Sequence, residues 1–211
     1  MKIKILIPVY NDWKSVSKLL DEINNLSIDS EVQISVIIVN DASNHDRQEE
    51  DKNLDNIFSI KILNMKVNQG HARCIAAGLK YIYEKEDFDY VIPMDGDGED
   101  RPEEIKEFTK QIEVSNTKPI VGSRVRRSES LLFQICYKIH KLITFTFTGQ
   151  SIKFGNFTCL PKSTVEKMIN EKATWNSFSG SLTKVEKDLL SMPSTRGTRY
   201  FGPSKMSFYN L

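Results

Sequence analysis

Five short apolar runs fall within the first 124 residues, and three of the four intervals between them hold a stretch of helical period. "KIKILIPV", "VQISVIIVN", "IFSIKIL", "FDYVIPM" and "KPIVGSR" have the length and the β-branched content of buried strands. "WKSVSKLLDEI" repeats Val16, Leu19, Leu20 and Ile23 on one helical face, and "GHARCIAAGLKYIY" does so with Ala72, Ile75, Ala76, Leu79 and Ile82. "PEEIKEFTKQI" is predicted as a third helix. Pro102 suits its first turn, and Glu103 and Glu104 suit its positive end. Apolar strands that alternate with helices predict an α/β fold, a mostly parallel sheet covered on both faces. Beyond Arg127 the pattern becomes irregular.

Ligands of such sheets bind beyond the carboxyl ends of the strands. The polar clusters fall there: Asn11 and Asp12, Asp41 and Ser43, Asp95 to Asp100, and Ser123 with Arg124. The densest is "MDGDGED", which sets Asp95, Asp97, Glu99 and Asp100 within six residues directly after an apolar strand. Two-residue spacing in extended chain puts Asp95 and Asp97 on one face, about 7 Å apart. Gly96 and Gly98 let the backbone bend so that the carboxylates converge. A hard divalent cation, Mg²⁺ or Mn²⁺, would relieve their repulsion and take its remaining ligands from substrate phosphates. The other reading is a solvated acidic turn that caps the following helix. Asp12 and Asp41 can face the same crevice and accept from ribose hydroxyls or a base N–H, or they can cap helices, as can Asn11 and Ser43. His45, His71 and His140 are scattered, and solvated or packed positions are expected for them.

Several classes are excluded. A formal charge of +1 gives no electrostatic footprint for nucleic acid. Cys74, Cys136 and Cys159 are odd in number and widely separated, without metal-ligand spacing, which suits a reducing compartment. No glycine-rich phosphate loop follows the first strand, so phosphates must be held by a metal and by cations such as Arg73, Arg124, Arg127, Arg196, Arg199 and Lys205. "MKIKILIPVYND" is not a signal peptide, and no run reaches the ~20 apolar residues of a membrane span. Residues 131–148 mix Leu131, Leu132, Phe133, Ile135, Ile139, Leu142, Ile143, Phe145 and Phe147 with Lys138, His140 and Lys141. That composition suits a helix lying at a membrane interface, or a core or subunit-contact helix. The abrupt stop at "KMSFYNL" suggests a longer parent protein.

"IPVYND", "VNDAS", "NQGHARCIAAGL" and "MDGDGEDRPEEI", in this order and spacing, resemble the inverting family 2 glycosyltransferases of the GT-A fold. Within them the chain is most similar to the branch that acts on polyprenyl phosphates, including dolichyl-phosphate mannose synthases. "GSRVRR", "GNFTCLPKSTVEKM" and "RGTRYFGPSKM" extend the similarity to the end. The resemblance implies a nucleotide-sugar-binding GT-A core over residues 1–127 and an acceptor-side, membrane-proximal region of the same domain over 128–211. It implies that Pro8, Tyr10, Asp12, Asp41, Gly70, Arg73 and Asp95 border the nucleotide sugar. Asp95 and Asp97 would hold the metal, and Asp97, Asp100 and Arg124 would be catalytic. Arg127, Arg199, Ser204 and Lys205 would face the acceptor or its phosphate. Where the family often has Gly-Asp-Phe-Arg, this chain reads Gly155-Asn156-Phe157-Thr158, and the membrane helices that commonly follow are absent.

The expected activity is therefore transfer of a sugar from a nucleotide-diphosphate sugar to a polyprenyl phosphate. The expected setting is cytoplasmic, at the inner face of the membrane with peripheral contact, and a homo-oligomer is compatible with it. An anionic lipid phosphate needs no strong base. A hydroxyl acceptor of a growing polysaccharide would need one, and Asp100 is the candidate. A sugar nucleotidyltransferase and a non-catalytic binding remnant are the remaining alternatives.

Overall fold

In the computed structural model, residues 1–45, 53–115, 117–124 and 154–202 are described. The expected interfacial helix over 131–148 lies outside them, as do Cys136, Arg127, Ser204 and Lys205. Strands β1 (Lys2–Val9), β2 (Gln33–Asn40), β3 (Ser59–Asn64), β4 (Tyr90–Pro93), β5 (Ile120–Arg124), β6 (Phe154–Pro161) and β7 (Leu190–Ser194) form one sheet. Its order is β3-β2-β1-β4-β6-β5-β7. β1 pairs in parallel with β2 and β4, and β2 with β3. β6 runs antiparallel between β4 and β5, and β7 returns parallel to β5.

Both sheet faces are apolar because successive residues of a strand alternate sides. Ile3, Ile5 and Ile7 join Leu19, Leu20, Ile105 and Phe108 on the face covered by α1 (Trp13–Asn24) and α3 (Ile105–Ser115). Leu6, Ile37 and Val39 join Ile75, Leu79, Val165 and Leu182 on the other face. That face is covered by α2 (His71–Lys85), α4 (Lys162–Asn170) and α5 (Phe178–Val185). At Gly78 a Cβ would stand 2.3 Å from Leu6 Cδ1, so α2 packs directly onto β1. The end of α2 is tied down by Glu86, which pairs with Lys4 at 3.2 Å and Lys61 at 2.6 Å.

The strands and first three helices match the sequence expectation to within a few residues. One difference is that Pro102–Glu104 form a 3-10 turn before α3 begins. The stretch beyond Arg127, irregular in the sequence, supplies β6, α4, α5 and β7. β6 enters the middle of the sheet, so the chain before Arg124 and the chain after Phe154 share one core. Among the described residues no helix is long and apolar enough to cross a membrane.

Candidate active site at the strand ends

The parallel strands β1, β2 and β4 deliver three turns to the same edge of the sheet. Backbone bonds from Asp41 to Val9 and from Met94 to Leu6, at 2.8 and 3.0 Å, carry the ladder into these turns. Pro8 is buried in β1, and Tyr10 stands 39% exposed beyond it. Asn11 takes a positive φ of 52° and is stitched to the β2 turn. Its backbone N–H donates to Ser43 Oγ at 2.9 Å, and its side-chain oxygen accepts from the Asn44 amide at 2.8 Å. Asp12 precedes α1 without a side-chain capping bond, and its Oδ1 accepts from Ser15 Oγ at 2.7 Å.

Asp41 is 4% exposed. Its two oxygens accept the backbone amides of Gln69 and Gly70 at 2.7 and 2.8 Å. The carboxylate thus holds the turn into α2, where Gly70 sits at φ 87°, in addition to any contact with a bound base. Burial first, then the charge and hydrogen bond of Asp41, pushes the Cys74 thiol up to about 12, so this cysteine stays protonated. Arg73 is exposed and donates to Gln69 Oε1 at 2.6 Å.

In the acidic turn, Asp95 N–H donates to Asp100 Oδ2 at 2.8 Å, and Glu99 N–H donates to Asp97 Oδ1 at 2.9 Å. Each carboxylate that closes the turn satisfies a backbone donor of the turn itself. Asp100 is therefore committed to shaping the turn. Asp95 Oδ1 lies 2.9 Å from His71 Nε2, and His71 Nδ1 lies 3.5 Å from Asn156 Nδ2 on β6. Burial opposes the imidazolium, but the bond to Asp95 and the charges of Asp95, Asp100 and Asp97 leave the His71 pKa raised overall. Asp97 is also shifted up, by burial first and then by Asp95, with Arg199 and Arg196 working against both.

The segment 195–201 crosses over this turn. Tyr200 N–H donates to Asp97 O at 2.9 Å, and Gly197 N–H to Glu99 O at 2.8 Å. Arg196 pairs with Glu99, and Tyr200 OH donates to Glu22 on α1. Arg199 Nη1 reaches Asp97 Oδ2 at 2.5 Å, and its Nη2 reaches Asp12 Oδ2 at 3.1 Å. Lys14 and Lys18 sit over the Phe201 and Tyr200 rings at 4.2 and 4.5 Å.

The structure thus gathers Asp12, Asp95, Asp97, Asp100 and Arg199 into one cluster. Pro8, Tyr10, Asp41, Gly70 and Arg73 lie along the neighbouring turns, and Arg124 ends β5 on the far side of β6. His71 and Asn156 join the cluster, a role that their residue types and spacing do not reveal. The signal for His71 was its place directly after Gly70 and before an apolar helix face, which aims the first side chain of the helix at the strand ends.

A divalent cation fits this donor set. Arg199 reaches Asp97 and Asp12 and offsets part of their charge, while Asp95, in the same turn as Asp97, meets His71. Among the described residues no three His, Cys, Asp or Glu side chains close a complete metal site. Two carboxylates leave ligand positions to be filled from elsewhere, the usual arrangement for an ion shared with a diphosphate.

The chain is 27% identical over its whole length to the undecaprenyl-phosphate 4-deoxy-4-formamido-L-arabinose transferase of Proteus mirabilis, and spans 64% of that protein. Its fold is similar to that of S. aureus TarS 1-349 in complex with UDP-GlcNAc. There the TM-score is 0.62 at 14% identity, over 96% of this chain and 60% of that one. It is equally similar to glucosyl-3-phosphoglycerate synthase from Mycobacterium tuberculosis in complex with Mn²⁺, UDP and glucosyl-3-phosphoglycerate. There the TM-score is 0.62 at 10% identity, over 95% of this chain and 73% of that one. The architecture is therefore the GT-A fold expected from the motifs. Residues 4–174 match the model of the family described as glycosyl transferase family 2, and the chain belongs to that family.

Proposed function

We propose that this chain transfers a sugar from a nucleotide-diphosphate sugar to a polyprenyl phosphate. The observation that carries the reading is the convergence of Asp12, Asp95 and Asp97 with Arg199 at the strand ends of a family 2 fold. The Proteus mirabilis relative is named for an undecaprenyl-phosphate acceptor, which supports the same acceptor class here.

The nucleotide would lie against Pro8, Tyr10, Asp12 and the Asp41–Gly70 turn, with Arg73 toward its diphosphate. Asp95 and Asp97 would hold Mg²⁺ or Mn²⁺. When bound, that ion neutralises charge building on the departing diphosphate. An oxygen of the lipid phosphate forms a bond to the anomeric carbon, and the bond from that carbon to the nucleoside diphosphate breaks. The attacking oxygen is already anionic, so no proton need be removed. Cationic side chains must instead offset the repulsion between two phosphates. Arg199 stands at the acidic turn in position to do so, and Arg124, Arg127, Ser204 and Lys205 are assigned the same task on the resemblance. A hydroxyl acceptor would require a base, with Asp100 the candidate; one of its oxygens accepts the Asp95 amide. The phosphate acceptor is favoured by the relative named for it.

Work on a lipid carrier implies peripheral contact with the cytoplasmic face of a membrane, and the 131–148 segment is the proposed contact. The test is transfer of label from a panel of UDP- and GDP-sugars to undecaprenyl phosphate, set against a soluble sugar acceptor. Wild type should label the lipid in the presence of Mn²⁺. Asp95→Ala and Asp97→Ala should lose at least ~100-fold in rate, about 2.7 kcal/mol, with the fold intact. Labelling of the sugar acceptor alone would replace the lipid reading with the hydroxyl one, and no transfer at all would leave a binding protein.

A further inference from the structure

His71 opens α2, and its ring is held from two sides. Nε2 lies 2.9 Å from Asp95 Oδ1, and Nδ1 lies 3.5 Å from the Asn156 side-chain amide on β6. The backbone just before it is fixed as well, because Gly70 N–H donates to the buried Asp41 carboxylate at 2.8 Å. Asp95 is in turn fixed twice. Its N–H is held by Asp100 at 2.8 Å and its carboxylate by His71. The nucleotide-side turn and the acidic turn are thus linked through residue 71: Asp41 holds the backbone just before it, and its imidazole meets Asp95.

A carboxylate on a flexible turn has a free side-chain torsion, and its two oxygens point wherever solvent and neighbouring charges send them. A donor that occupies one oxygen sets the torsion and leaves the other oxygen aimed in one direction. Groups that orient metal-binding side chains in this way commonly change metal affinity by 10–100-fold when removed. His71 Nε2–H can donate to Asp95 in either protonation state of the ring. Asn156 can meet Nδ1 in both, with its N–H or, turned over, with its carbonyl.

We propose that His71 is a positioning residue that aims the Asp95 carboxylate at the divalent cation, with Asp41 and Asn156 setting the ring. The inference rests on the metal assignment made for the proposed function. It adds that the helix following the nucleotide turn and the acidic turn are one mechanical unit, so a change at either end is felt at the metal.

Mn²⁺ binding in the presence of UDP or GDP, followed by electron paramagnetic resonance on the full chain, tests it. The variants are His71→Ala, His71→Gln and His71→Asn, each with a thermal melt. A glutamine can place its amide nitrogen where Nε2 stands, whereas an asparagine falls short. His71→Ala and His71→Asn should weaken Mn²⁺ binding about tenfold, and His71→Gln should stay within about threefold of wild type. Equal Mn²⁺ affinity in wild type and His71→Ala would overturn the proposal, as would Gln and Asn variants that bind alike. If His71→Ala does not fold, the Gln-to-Asn comparison decides by itself. Absence of Mn²⁺ binding in wild type with either nucleotide overturns the metal assignment and this inference together. Wild-type binding with an unaffected His71→Ala overturns only the inference.

Discussion

Arg199 and Asp97 are separated by 102 positions in the chain, and their side chains meet at 2.5 Å. The same guanidinium reaches Asp12 at 3.1 Å, and all three side chains are less than one-fifth exposed. Arg199 Nε finds no partner among the described residues. The guanidinium thus sits over the acidic turn as a counter-charge, with one donor still to be satisfied. A divalent cation held by Asp97, as proposed, would share that carboxylate with Arg199, so each would weaken the other's hold on it, and the coupling would be reciprocal. Arg199→Gln is expected to tighten Mn²⁺ binding in the absence of nucleotide about tenfold, ~1.4 kcal/mol. The same variant should slow transfer to a lipid phosphate. Calorimetric titration of Mn²⁺ checks the first effect, and unchanged affinity would refute the counter-charge role.

Asp41→Ala strips the acceptor from the Gln69 and Gly70 amides in a site that is 4% exposed. Gln69 is exposed and Gly70 only half-buried, so water can replace part of the lost bonding, and the cost is about 1–3 kcal/mol. Asp41→Asn should rescue little, since its amide nitrogen would face a backbone N–H. Urea denaturation measures the loss. A variant of full stability that only binds nucleotide more weakly would assign Asp41 wholly to the base.

Gly98 takes φ +89°, and a Cβ there would stand 2.6 Å from the Tyr200 ring. Gly98→Ala must both strain the turn, by about 1–2 kcal/mol, and push Tyr200 off its seat against α1. Arg196 and Arg199 flank that seat, so the variant should be cut by trypsin at these arginines well before wild type. Equal digestion rates would mean that segment 195–201 does not depend on the contact.

Glu86 is paired with the buried Lys4 and with Lys61, and both side chains of the Lys4–Glu86 pair are more than nine-tenths buried. Burial opposes its charge, yet the bonds to Lys61 and Lys4 hold its carboxyl below the ordinary 4.5. A depressed carboxylate stabilises the fold above its unfolded pKa and loses that contribution as pH falls through the folded one. Stability should therefore decline below about pH 4.5 partly through this group. Glu86→Gln should flatten that part of the acid limb while costing about 3 kcal/mol at neutral pH, because Lys4 is left buried without its partner. Melting curves from pH 3 to pH 7 provide the comparison.

The sequence by itself determined the layers and the edge at which chemistry happens. Runs such as "KIKILIPV" and "VQISVIIVN" carry apolar residues at both odd and even positions, so they read as strands covered on both faces. The polar turns that end them must then meet at one rim, which places Asp12, Asp41 and Asp95 to Asp100 there from sequence alone. These are local facts, written in periods of two and 3.6 residues. What only the tertiary structure decided is which of these groups touch. The insertion of β6 between β4 and β5 brings Asn156 to His71, 85 positions away. The return of the chain after β7 brings Arg199 to Asp12, 187 positions away. The place of His71 after Gly70 aims it at the strand ends, but nothing in its own stretch of chain names its partner. Its partner Asp95 lies on another turn, and a hydrogen bond between distant turns leaves no periodic trace in sequence. Hydrophobic period is a property of neighbours along the chain, whereas the aim of a carboxylate is fixed by whatever the folded sheet sets beside it.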